Sequence, residues 1–232
     1  MKDIGNSALV IILIFVLLPI FISHHQKLGL GKDIFFSSIR AFFQLLILGF
    51  LISYIFSFSH PLVIIGYIFL MTVIASLSIS KKGHYFRRTF VIVFSSIVVS
   101  ISVPLSVCLI FSIVPFDAQH LIPLGGMFSG AAMVSCAVVL EDMSTKQGLE
   151  ETVLRKNAIK IAMLPTVQTL KTMGLVQMPG TMTGMILAGI NPFTAVKYQI
   201  FIVFTLLIVS SLSAILVSFL NCKVLLLGTS RQ

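Results

Sequence analysis

Charged residues are scarce in this sequence. Only 10% of its 232 residues are Asp, Glu, Lys or Arg, and 57% are hydrophobic. Soluble domains carry about 25% charged residues, so the composition excludes a soluble globular protein. It predicts an integral membrane protein that contacts membrane lipid and no nucleic acid, despite a formal net charge of +9.

The sequence also lacks the patterns of metal sites, nucleotide-binding sites and catalytic sites. The three cysteines, Cys108, Cys136 and Cys222, lie far apart, without the spacing of a metal site, and are expected to be core residues. No G-x-x-x-x-G-K-[ST] motif occurs, so we expect no nucleotide or other cofactor on this chain. An enzyme acting on lipid would need an acid, a base and a nucleophile together, and no such set is evident.

Long apolar runs fill most of the chain. A helix needs about 20 apolar residues to cross a membrane, whereas barrel strands alternate over roughly ten. The runs are continuous, so we predict an all-α polytopic membrane protein with about seven transmembrane helices in one domain, residues 1–232. One stretch, 158–190, is irregular and is expected to be a broken crossing or a crossing plus a re-entrant piece. The clear spans are predicted at 7–23, 34–57, 61–80, 89–114, 121–140 and 198–220.

Basic residues concentrate in alternate loops. Two lie in 24–33, four in 81–88 (KKGHYFRR) and four in 141–160, whereas the loops 58–60 and 115–120 contain no Lys or Arg. Basic loops stay on the cytoplasmic side of a membrane. The pattern therefore predicts seven crossings of the cell (plasma) membrane, with the N-terminus outside and the C-terminus cytoplasmic.

Glycine and proline repeatedly interrupt the stretch 174–192, GLVQMPGTMTGMILAGINP. Proline ends a helix and frees carbonyl groups that lipid cannot satisfy, although a protein-lined cavity can. Broken helices therefore indicate a substrate pathway or gate. The alternative is close helix packing, because Gly180 and Gly184 have small-xxx-small spacing.

Polar and thioether side chains accumulate around this break. Five of the ten methionines lie between 163 and 185, where they form either an adaptable substrate surface or ordinary core filling. No His or carboxylate cluster accompanies them, so the metal ligands, if any, stay unassigned. The residues predicted to line the pathway or gate here are Gln168, Lys171, Gln177, Met178, Pro179, Gly180, Met182 and Gly184.

Two polar residues in the second span are also candidates. Arg40 and Gln44 are four residues apart and therefore share a helix face. Arg40 either snorkels to the headgroups or forms with Gln44 a polar stripe facing into the bundle. In the second case both belong to the pathway.

The segment 141–160 has the pattern of a cytoplasmic amphipathic helix. Ser144 or Thr145 is expected to cap its start. It is either a docking element for a partner or an interfacial loop. The residues predicted to share its apolar face are Leu149, Val153, Leu154, Ala158 and Ile161. The predicted docking residues are Gly148, Leu149, Glu150, Glu151, Val153 and Arg155.

Two regions resemble a known family. The front region is ISHHQKLGLGKDIFFSSIRAFFQLLILGFLISYIFS, especially Arg40, Ala41, Gln44, Leu45 and Gly49, and the back region is LPTVQTLKTMGLVQMPGTMTGMILAGINPFTAVKYQI. They resemble the FetB-like family of ABC transporter permeases, which includes bacterial iron-export and plant aluminium-tolerance permeases. Met178 replaces the Leu of the family pattern, and the segment 141–160 lacks the family's Leu-x-Leu-Gly-Ala turn.

The resemblance implies the membrane permease subunit of an ATP-driven, ABC-type exporter of metal ions such as iron. ATP would bind to a separate ATPase subunit, and two permeases would form a homodimer, so this chain would not itself be an enzyme. The alternative is an ion-coupled secondary transporter or a channel. Ion-coupled transporters usually carry carboxylates inside the membrane, and no Asp or Glu lies in any predicted span.

Overall fold

The computed structural model describes residues 5–55, 60–81, 86–146 and 150–229. These residues form α-helices joined by turns, and they contain no strand beyond an isolated bridge between Met173 and Gln177. The chain divides into two compact units, Met1–Phe58 and Ser59–Gln232. The all-α polytopic fold predicted from the sequence is confirmed.

The first unit contains α1 (Asn6–Phe15), α2 (Leu17–His25) and α3 (Gly31–Ile55). α1 and α2 together supply one candidate membrane span, interrupted at Val16. Pro19 explains the interruption, because it has no amide hydrogen for the carbonyl of Phe15 and its ring crowds that carbonyl. α2 packs against α3.

The second unit is a helical bundle built around two central helices. α6 packs against α4, α5, α7 and α9, and α9 packs against α5, α6, α7 and α8. Phe128 and Ala132 of α6 and Val209 of α9 are fully buried in this core. The helices of the unit are α4 (Pro61–Ser80), α5 (Phe86–Ile110), α6 (Ala118–Thr145), α7 (Glu151–Thr172), α8 (Gly180–Leu187) and α9 (Pro192–Thr229).

Small residues let these helices approach closely. A Cβ added to Gly125 on α6 would lie only 2.8 Å from Cγ1 of Ile68 on α4. Serine hydroxyls along α4 and α5 are buried and donate to carbonyls one turn back in their own helices: Ser76 to Thr72, Ser80 to Ser76, Ser96 to Ile92 and Ser100 to Ser96. Glycine and serine therefore occupy the interfaces where bulkier side chains would hold the helices apart.

Six helical segments in the described part of the chain are long and apolar enough to cross a membrane: Ala8–His25, Gly31–Ile52, Pro61–Ser80, Phe86–Ile110, Ala118–Thr145 and Pro192–Asn221. They correspond to the six clear spans predicted from the sequence. The 22-residue helix α7 is also long enough, but it carries more polar side chains and is not among the six. The break predicted near 158–190 falls at 173–179, between α7 and α8.

The helix boundaries and the burial of side chains test two predictions, one about a helix cap and one about the cysteines. Ser144 and Thr145 do not cap a new helix, because they form the last turn of α6 and donate to the carbonyl of Glu141. Cys108 and Cys136 are buried core residues, as expected, whereas the side chain of Cys222 lies outside the described part of the structure.

Candidate functional site

The interruption after α7 is an ordered turn. The carbonyl of Thr172 accepts hydrogen bonds from the backbone N–H groups of Val176 and Gln177 at 2.9 and 3.1 Å. Gly174 has a φ of +84°, a left-handed conformation that glycine adopts without steric cost. Its N–H donates back to the carbonyl of Gln177 at 3.0 Å, which closes the turn.

α8 and α9 begin and end at residues suited to those positions. Gly189 follows α8 with a φ of +90°, and the N–H of Ile190 donates to the carbonyl of Met185 at 3.0 Å. This is a Schellman arrangement, which satisfies carbonyls at the helix end. Asn191 then accepts from the N–H of Phe193 at 2.9 Å, and Pro192 occupies the first helical position of α9. The frequent glycines and prolines thus build a helix–turn–helix–turn–helix segment.

A cavity of about 510 Å³ lies against this segment. Its wall combines Leu170 of α7, the turn 173–179 and Met182 of α8 with α9. The α9 residues are spaced by three and one positions, so they form one helix face: Val196, Gln199, Ile200, Val203 and Phe204.

Two amides supply the polar side chains of the cavity wall. Gln177 lies in the turn, and Gln199 lies on α9 with only 7% of its surface exposed. The hydroxyl of Thr181 donates to Oε1 of Gln199 and so links α8 to α9. A buried glutamine needs such partners, because an unsatisfied amide in a membrane protein core is costly.

The described residues of the cavity wall include no ionisable side chain. Beside the two amides it presents the thioethers of Met173, Met178 and Met182 together with aliphatic and aromatic groups. Nowhere in the described ranges do three His, Cys, Asp or Glu residues come together in a way that could hold a metal ion. The cavity therefore offers dipoles, polarisable sulfur and apolar surface as its means of binding.

The structure brings four of the residues predicted for the pathway to this cavity: Gln177, Met178, Pro179 and Met182. Gln168 and Lys171 lie on the last turns of α7, are exposed and do not line it. Gly180 and Gly184 lie on α8 beside it without forming part of its wall. Gln199 was not predicted to line the pathway. The signal that could have identified it is a single amide within the apolar run YQIFIVF.

The small-xxx-small spacing on α8 has no packing partner within the described residues. A Cβ added to Gly180 or Gly184 would meet no heavy atom within 4 Å. The two glycines therefore do not serve a close helix crossing among these residues, and their face of α8 is open.

Arg40 and Gln44 lie on α3, in the first unit. Both side chains are exposed and one helical turn apart, as their spacing predicts. Their assignment to the pathway stays a prediction.

The predicted docking residues lie at the start of α7. Glu150 precedes the helix, and Glu151 pairs with Arg155 at 3.4 Å. The guanidinium carbon of Arg155 lies 3.4 Å from the ring centroid of Phe219, so this residue also links α7 to α9. Gly148 and Leu149 lie outside the described residues.

The apolar face predicted for this helix is only partly right. Leu154 and Ala158 are buried against the bundle, with 6% and 0% exposure. Val153 and Ile161 point away from it, with 42% and 36% exposure. Leu154 and Ala158 are four residues apart, so they share the helix face that packs against the bundle. Val153 lies about 100° around the helix from Leu154 and is therefore outside that face.

The sequence matches a known protein family over nearly its whole length. Residues 6–226 match the model of the family described as "Uncharacterised protein family (UPF0014)". The "Probable iron export permease protein FetB" of Escherichia coli is 34% identical, over 95% of this chain and 92% of that protein. The "UPF0014 membrane protein YjkA" of Bacillus subtilis is 34% identical over 90% of each chain.

Similarity also extends to a plant protein. "Protein ALUMINUM SENSITIVE 3" of Arabidopsis thaliana is 28% identical over 90% of this chain and 82% of its own length. No solved structure matches the chain. The family match over nearly the whole sequence, together with the helical fold, shows that this multi-pass membrane protein belongs to the UPF0014 family.

Proposed function

We propose that this protein is the membrane permease subunit of an ATP-driven, ABC-type exporter whose cargo is metal-related, with iron the first candidate. The relative named a probable iron export permease supports the transport function and the cargo. The observation that carries the proposal is the 510 Å³ cavity at the interrupted segment between α7 and α9. Irregular backbone in a membrane protein is tolerated where it lines such a cavity.

The same two helices connect the cavity to the opposite end of the bundle. α7 contributes Leu170 to the cavity and Arg155 to the other end, while α9 contributes Val196 and Phe219 respectively. A force applied at the start of α7 is therefore transmitted along helices that also form the cavity wall. This arrangement suits a subunit that receives its energy from a separate ATPase.

The start of α7 is the proposed ATPase docking element. Val153 is an exposed apolar residue among those described there and would act as the anchor, while the charges around it would tune association. We expect Val153→Asp to abolish co-purification of the ATPase and to leave membrane insertion normal. The control is Lys156→Gln, at an exposed polar position on the next turn of α7, which should retain the ATPase. Wild-type stoichiometry with Val153→Asp would place docking elsewhere.

The open face of α8 is proposed to serve the gate or a second copy of the permease. Gly180→Leu adds a side chain into space that the described residues leave empty, so folding and ATPase association should persist. We expect transport to fail, because that space would be needed by the cargo or by a partner permease. Full transport by this variant would remove Gly180 from both roles.

The decisive experiment is reconstitution. Proteoliposomes containing the permease and the co-purified ATPase should move iron only when ATP is supplied. Transport driven by an ion gradient without ATP would favour the alternative, an ion-coupled secondary transporter or channel. The cavity wall, in the part of the chain that the structure describes, offers no carboxylate for such coupling, and this supports the ATP-driven mechanism.

A further inference from the structure

The described side chains of the cavity wall are poorly suited to a bare multivalent cation. Hard cations bind to carboxylate, carbonyl and water oxygens, and a metal ion that leaves water must recover its hydration energy from charged or strongly polar ligands. Among the described residues, the wall of this cavity has no charged side chain and two amide side chains, those of Gln177 and Gln199. Its size also exceeds what a single ion requires.

The same features fit an organic ligand. Small-molecule sites occupy roughly 300–1,000 Å³ and combine an apolar wall with a few polar groups that fix orientation. Here the volume is about 510 Å³, and the buried amide of Gln199 stands on an otherwise apolar face of α9. Thr181 donates to the oxygen of this amide, and the amide nitrogen is the donor that Gln199 would offer to a ligand.

We propose that the cavity binds an uncharged amphipathic organic molecule, with its apolar body against the methionines and α9 and one polar group on Gln199. A metal cargo would pass this point inside a neutral organic complex and not as a bare ion. This inference specifies the class of cargo for the exporter proposed above. It rests on that proposed function only in treating the cavity as part of the transport pathway.

Methionine methyl groups provide a direct readout of binding. With ¹³C-methyl methionine in the detergent-solubilised protein, the signals of Met173, Met178 and Met182 report on the cavity, and Met143, buried on α6, serves as an internal control. Single Met→Leu variants assign the signals. The probes are 1-naphthol and naphthalene, which differ only by a hydroxyl group. Both should shift the cavity signals saturably and leave Met143 unchanged.

Two variants separate ligand binding from packing. Gln199→Leu removes the amide at similar volume, and we expect the affinity for 1-naphthol to fall about fivefold while that for naphthalene stays unchanged. Thr181→Val removes the same link between α8 and α9 but keeps the amide. It should leave 1-naphthol at least as tightly bound as in the wild type. Equal losses for both probes in Gln199→Leu would indicate a packing role and overturn the proposal.

Metal ions alone supply the opposing test. If Fe²⁺ or Ag⁺ perturbs the three cavity signals saturably at micromolar concentration while the organic probes do not, the site binds a bare ion and the proposal is wrong. Non-saturable shifts with both organic probes would show an ordinary lipid-facing crevice and would equally overturn it. None of these measurements involves the ATPase, so their failure is distinct from a failure of ATP-driven transport.

Discussion

Asp117 fixes the N-terminus of α6 at the residue scale. Its carboxylate accepts from the backbone N–H of His120 at 2.8 Å, and Nδ1 of His120 lies 2.7 Å from the same oxygen. Desolvation alone would raise the pKa of Asp117, but the hydrogen bonds from His120 and Gln119 and the charge of His120 together lower it. The ionised carboxylate is thus the form that stabilises the helix start.

Replacing this cap should weaken the bundle. We expect Asp117→Ala to lower the free energy of unfolding by about 1 kcal/mol, and Asp117→Asn, which can still cap, to lower it less. Because the pKa of Asp117 is depressed, its contribution to stability is present above the unfolded pKa of about 3.9 and is lost as the pH falls through the folded pKa.

Thermal unfolding in detergent between pH 6 and pH 3 measures both effects. The side chain is 44% exposed, so solvent screening keeps the pH-dependent part small. An unchanged melting temperature in Asp117→Ala would show that the cap contributes nothing.

Arg155 makes two contacts that a lysine cannot reproduce together. Its planar guanidinium pairs with Glu151 and stacks on Phe219. We expect both Arg155→Gln and Arg155→Lys to be destabilising, by about 1–2 kcal/mol for the former and less for the latter. Lys156→Gln, at the exposed neighbouring position, is the control and should change the melting temperature little. A rank order with Lys156→Gln as the worst variant would contradict the stacking role.

Helices α4 and α6 pack closely at a glycine, and substitutions at two glycines of α6 test whether this close contact contributes to stability. Gly125→Ala would push a methyl group into Ile68 of α4, so we expect a loss of about 1–3 kcal/mol. Gly130→Ala, on the same helix, meets no heavy atom within 4 Å and should be neutral or stabilising by up to about 1 kcal/mol. Thermal melting of the two variants side by side decides the matter, and equal behaviour would refute the packing argument.

The local chemistry of the elements explains why the break in the membrane segment could be predicted. Pro179, Gly189 and Pro192 act through backbone constraints that need no tertiary information, and the structure uses them as a helix start, a helix end and a helix start. The contact of Thr181 with Gln199 joins two helices across a turn and left no periodic signal in the sequence. The prediction that Ser144 caps a helix was wrong for a related reason: serine favours helix starts by propensity, but here it lies in the last turn of α6.

At the scale of the whole molecule, the alternating basic loops define an orientation that labelling can test. Phe116 lies in the connection between α5 and α6, and Lys81 follows α4; both are exposed. In a background with the three cysteines replaced by alanine, Phe116→Cys should react with an impermeant thiol reagent outside intact cells, and Lys81→Cys should react only after permeabilisation. The opposite labelling would invert the proposed topology.

The long-range organisation was only partly predictable. Apolar runs located the spans, because burial in lipid demands continuous hydrophobic helices. They carried no information on which helices pack together, so the central positions of α6 and α9 emerged only in the structure. The contact between Arg155 and Phe219 could not be predicted either, since nothing near either residue in the sequence indicates the other.

The buried serines have a mechanical consequence. Each hydroxyl of Ser76, Ser80, Ser96 and Ser100 is already satisfied by a carbonyl of its own helix. Sliding α4 along α5 would therefore break none of these four hydrogen bonds, although it would disturb the edge-to-face contact between Phe69 of α4 and Phe94 of α5, whose ring centroids lie 5.7 Å apart. The serine hydrogen bonds thus do not oppose shear, the kind of displacement by which packed helices pass between two arrangements, and resistance to it falls to side-chain packing such as this ring contact.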